Sequence, residues 1–142
     1  MAVLMPAVGP LVAARTYLLT ELAGRGNDLP VGITPPPGQP NAYALLSRPG
    51  SSTRLFLTDY MIRVRIYDAD AVALERNADL LYRLMLEANH LNIATPHGSV
   101  WINGAADHMG PASYDDNEVP LFGMQFAVFW TVGLRPEVPA GS

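Results

Sequence analysis

Between Thr58 and Leu91 the hydrophobic pattern changes its period once, and the rest of the fold can be read around that change. Tyr60, Ile62, Val64 and Ile66 alternate with Asp59, Met61, Arg63, Arg65 and Tyr67. A period of two predicts a strand with one buried face. After Asp68-Ala69-Asp70, the residues Leu74, Ala78, Leu81, Met85 and Ala88 recur at steps of four and three. That spacing predicts an amphipathic helix over about residues 70–89, with Glu75, Arg76, Asp79, Arg83 and Glu87 facing away. Asp68 or Asp70 can cap its N-terminus. The join is short, so strand and helix can cover each other's apolar side. The expected core is Ile62, Val64, Ile66, Leu74, Leu81, Met85, Phe126 and Val128.

The flanking pattern is weaker. Pro10 suits a first helical turn, and Leu11, Ala14, Leu18 and Leu22 form a stripe that predicts a helix over 10–23. Gly24 or Gly26 can end it. Val31–Thr34 suggests a short strand, Pro35-Pro36-Pro37 an extended connector, and Asn41–Ser47 a further strand. Arg48-Pro49-Gly50-Ser51-Ser52 carries turn signals and is expected to be a loop. Asn92 to Pro96 is expected to end the second helix, and Ser99–Asn103 to be a strand. Gly104–Glu118, small and acidic, is expected to be a long loop. In Val119–Leu134 the residues Phe122, Met124, Phe126, Val128, Trp130 and Val132 share a face, which predicts the second long strand. The order predicts one α+β domain over 1–142, a mainly antiparallel sheet with two helices packed on one face. Residues 1–9 read as an arm and 136–142 as a tail.

Composition narrows the chemistry. With 142 residues, 49% of them hydrophobic, the chain can bury one real core. No apolar run reaches the roughly 18–20 residues of a membrane helix, and the first residues lack a basic signal-peptide start. There is no cysteine, so disulfides and thiolate chemistry are excluded. All the basic residues are arginine, which removes every lysine-dependent mechanism. The net charge of −4 argues against a nucleic-acid footprint. His90, His97 and His108 lack metal-ligand spacing, and Asp115-Asp116-Asn117-Glu118 lacks the alternation and glycine of a calcium loop. No serine sits in a nucleophile elbow, and Gly24-Arg25-Gly26 is not a phosphate loop. The expectation is therefore no enzyme, no metal and no cofactor.

The chain resembles the tail terminator, or tail-completion, proteins of long-tailed phages over most of its length, from Leu11 to Arg135-Pro136. The resemblance rests on the leading helix, Tyr60-Met61-Ile62-Arg63-Val64-Arg65-Ile66-Tyr67, the helix from Asp70 and a short strand around Trp101. Its most telling part is the closing run, Val119-Pro120-Leu121-Phe122 through Phe126-Ala127-Val128-Phe129-Trp130 into Leu134-Arg135-Pro136. The proline-rich segment 35–40 and the stretch before Asp59 match no part of the family pattern.

The resemblance implies a homohexameric ring in the virion, assembled in the host cytoplasm. Such a ring caps the head-proximal end of the tail tube, stops tube polymerisation and joins the head-completion proteins. Genome DNA passes through it without specific binding. Two groups of residues are candidates for such contacts. Val3, Leu4, Leu55, Phe56 and Leu57 are apolar arm residues expected to meet neighbouring subunits or the tube. Asp107, Asp115, Asp116 and Glu118 are expected in one acidic loop, which is either an ordinary solvated loop or one that faces a lumen or a rim. The alternatives are another head–tail connector or tail-tube component, a ferredoxin-like small-molecule-binding regulatory domain, and a cryptic enzyme.

Overall fold

The computed structural model describes residues 9–38, 40–54 and 57–133. In chain order the elements are α1 (Pro10–Gly24), β1 (Val31–Gly32), β2 (Ala42–Arg54), β3 (Leu57–Asp68), α2 (Ala71–Glu87), β4 (Leu91–Thr95), β5 (Gly98–Tyr114) and β6 (Phe122–Gly133). The strands form one six-stranded sheet in the order β1-β2-β3-β6-β5-β4. β1 pairs with β2 in parallel, and every other pairing is antiparallel. The fold is α+β, with both helices on one face of a curled sheet, as the pattern predicts.

α2 begins where the period changes. Asp68 accepts from the Asp70 N–H at 2.8 Å, turning the chain, and Asp70 accepts from the Val72 N–H at 2.9 Å, capping the helix. Leu74, Ala78, Leu81, Leu84 and Met85 are buried against β3, β5 and β6. Each large apolar side chain withdrawn this way contributes about 1.5–3 kcal/mol. All eight expected core residues lie in one cluster. Two buried hydrogen bonds tie α2 to its neighbours: Trp130 Nε1 of β6 donates to the Met85 carbonyl at 2.8 Å, and Tyr17 Oη of α1 donates to the Leu84 carbonyl at 2.7 Å. α1 ends at a left-handed Gly26, φ +69°, where the Asn27 N–H reaches the Leu22 carbonyl. α1 packs on α2 and β4 and also touches β1 and β2, so strands from both ends of the sheet reach it. No helix among the described residues is long and apolar enough to cross a membrane.

Four local expectations are corrected. Arg48–Ser52 is not a loop but lies within β2. From Ser47 to Gly50 β2 advances three residues while its partner β3 advances two, from Arg63 to Met61. One residue is therefore extra, a bulge, and it sits where the short β1 no longer pairs with β2. A proline is tolerated there because that edge needs no N–H. Gly104–Glu118 is not a loop either, since β5 continues to Tyr114. Three one-residue register shifts, at Ile102/Gly104, Asp107/Met109 and Met109/Ala112, break its alternation and hide the strand in the sequence. Asn92–Pro96 does not merely end a helix. Leu91–Thr95 is β4, joined to β5 by a tight Pro96-His97 turn in which Thr95 Oγ1 accepts from the His97 N–H. The last strand starts at Phe122, with Val119 and Pro120 in the turn before it.

Candidate interaction face

Among the described residues the helices cover one face of the sheet, and no element is layered on the other. Because paired residues share a face, the register assigns this open face in rows that run across β2, β3, β6 and β5. One row is Tyr43, Tyr67, Gly123 and Tyr114. The next is Leu45, Arg65, Gln125 and Ala112, followed by Ser47, Arg63, Ala127 and Met109. Then come Gly50, Met61, Phe129 and Ala106, and beyond them Ser52, Asp59, Thr131 and Gly104. The face thus changes from aromatic to cationic to apolar to polar along the strand direction.

The aromatic row is closed. The Tyr43 and Tyr67 rings lie 5.0 Å apart, and Tyr67 meets Tyr114 edge-on at 6.5 Å. Gly123 makes this possible, since a Cβ there would stand 2.6 Å from the Tyr114 carbonyl oxygen and 3.5 Å from the Tyr67 ring. Tyr67 Oη donates to Asp116 Oδ2 at 3.1 Å. Burial first, and then this bond to a carboxylate, push the Tyr67 phenol up from its ordinary value. Tyr43 is also pushed up, by burial and then by Asp116.

The cationic rows are different. Arg65 stacks its guanidinium 4.6 Å from the Tyr114 ring centre, and its Nε is shut off from solvent with no acceptor. The one ion pair among the described residues, Glu21–Arg25 on α1, is elsewhere. Next to Arg63, the Met61–Phe129 row floors an open groove of about 480 Å³, with Gly50 and Ala106 at its sides and Ser51, Ser52, Asp59 and Thr131 at its edge. Thr131 Oγ1 donates to Asp59 on that edge. Four aligned apolar and small positions, open to water, are the kind of surface a partner covers.

The acidic candidates separate. Asp107 lies on β5 opposite Val128, on the helix side of the sheet, and accepts from Tyr82 Oη at 2.7 Å. That bond is the first cause raising the Tyr82 phenol, ahead of burial. Asp115, Asp116 and Glu118 stay together in the β5–β6 turn. There Asp116 is committed internally, accepting from Tyr67 Oη and from the Glu118 N–H, while Asp115 and Glu118 are exposed. The turn also meets the proline-rich connector, for Pro35, Pro36 and Pro40 share a cleft of about 550 Å³ with Glu118, Val119 and Pro120. Of the apolar arm candidates, Val3, Leu4, Leu55 and Phe56 lie outside the described residues. Leu57 opens β3, half-buried opposite Gly133, where an added Cβ would come 2.9 Å from Leu57 Cδ2.

Sequence reasoning alone missed Arg63 and Arg65. They occupy the polar side of a half-buried strand, where charged residues are ordinary, and only the register with β5 brings Tyr114 over Arg65. The one available signal was two arginines at i and i+2 among neutral neighbours. Among the described residues no group of three or more His, Asp or Glu side chains could hold a metal ion. His108 instead packs edge-on to Phe129 at 5.0 Å, and His90 lies 6.5 Å from Trp101. No family model matches the chain, and no curated protein matches it.

Proposed function

We propose that this chain is a structural virion protein of the tail terminator kind, a ring subunit that caps the head-proximal end of a phage tail tube and joins it to the head-completion proteins. The observation that carries this reading is the open sheet face. A ring subunit needs two different surfaces that meet head to tail. The helix-free face, with its apolar groove beside Met61 and Phe129, is available for one of them. The sequence resemblance supplies the particular assembly. The chemistry on the face supports binding to protein rather than catalysis, because its polar groups are spread along rows and do not converge in an enclosed pocket.

Native mass spectrometry of the purified chain tests the reading. The expected species is a closed oligomer of six 15.3 kDa chains whose mass does not grow with concentration. An open series of masses that lengthens with concentration instead supports a tail-tube component, since tube subunits stack without a stop. A monomer at all concentrations contradicts both.

A further inference from the structure

We propose that Arg63 and Arg65 form a carboxylate-binding patch on the helix-free face, and that its occupant is the β5–β6 turn of a second copy, through Asp115 and Glu118. The proposal deepens the ring reading and rests on it for the number of copies.

Arg63 and Arg65 are two residues apart on β3, so their side chains leave the same face about 7 Å apart. Their row neighbours on β2, β6 and β5 are Ser47, Leu45, Ala127, Gln125, Met109 and Ala112, none of them acidic. Neither arginine makes an ion pair or a side-chain hydrogen bond among the described residues. The Arg65 fork is held in place by Tyr114, yet its Nε is buried without an acceptor. A guanidinium offers five N–H donors in a plane that matches a carboxylate; with Nε closed off, the terminal N–H groups of Arg65 are the ones a second copy's carboxylate can reach, on a fork that Tyr114 holds in place.

The chain itself offers that partner. It has 13 acidic residues against nine arginines. Asp115 and Glu118 are exposed and make no ion pair among the described residues, and the turn holding them is pinned by Asp116 to Tyr67 and to the Glu118 N–H. The turn lies beside the patch, as the Arg65–Tyr114 and Tyr67–Asp116 contacts show, but uses different residues, so the contact is compatible with the head-to-tail pairing of a ring and also with a reciprocal two-fold pair. Nucleic-acid phosphate fits less well, because the chain carries a net charge of −4.

Charge reversal separates the outcomes. Arg63→Glu with Arg65→Glu, and separately Asp115→Arg with Glu118→Arg, are each expected to weaken self-association at least about tenfold in sedimentation experiments. Mixing the two variants is expected to restore assembly with the variants alternating, because each contact between unlike variants again joins opposite charges. Circular dichroism and urea midpoints establish that each variant folds. The turn variant, altered only at exposed positions, remains informative if the arginine variant does not. Wild-type association is expected to weaken with added salt. Unchanged assembly in either folded variant, or a mixture that fails to recover, overturns the proposal. So does an arginine variant that loses duplex DNA binding while self-associating normally. Recovery of a two-copy complex in place of a ring supports the contact and overturns the ring reading. A ring that forms equally well in all variants does the reverse.

Discussion

Gly123 shows how much a single atom decides on the open face. The gap it leaves lets Tyr67 and Tyr114 close at one end of the sheet, with the Tyr114 carbonyl 2.6 Å from where a Cβ would be. Backbone cannot retreat as a flexible side chain does, so Gly123→Ala should force β5 and β6 apart. The expected loss is about 1–3 kcal/mol in urea unfolding. A loss under about 0.5 kcal/mol would mean that the β5–β6 pairing tolerates a side chain there. Tyr17 makes a second prediction at this scale. Burial, with Glu21 as the next cause, raises its phenol from 10.0 to about 12. Its folded value lies above the unfolded one, so its contribution is fully present below pH 10 and is lost as the pH rises toward 12. The wild-type urea midpoint should therefore fall more steeply across that window than the midpoint of Tyr17→Phe. Parallel curves would show that the Tyr17–Leu84 contact is open to solvent.

Among the elements, α2 bears the most on stability, because it alone covers β3, β6 and β5 together. Leu81 is fully buried at its centre, and Leu81→Ala should cost about 2–5 kcal/mol. A loss below about 1 kcal/mol, measured by denaturant titration, would show that α2 does not clamp the sheet. The same element shows what a sequence can reveal. α2 and β3 were legible because each keeps one period for its whole length, and a capping aspartate marks where one gives way to the other. β6 was legible from Phe126 onward for the same reason, although Phe122 ends up exposed. β5 was not legible. Its three bulges reset the alternation within 17 residues, and its small residues, such as Gly104, Ala105 and Ala106, carry little hydrophobic signal. Misreading β5 in turn gathered Asp107 with the three turn acids, when it belongs to the opposite side of the sheet.

For the whole molecule, the sequence indicated one core and two helices on one face, and the structure adds what the other face presents. That face is a distribution of side chains over four strands, which no local pattern encodes, because it depends on strand order and on where the bulges fall. We propose that this surface serves to build a ring. Negative-stain imaging of the purified chain addresses it most directly. Uniform rings of six subunits with a central hole wide enough for duplex DNA are expected. A field of isolated small particles, or of long tubes, would contradict it.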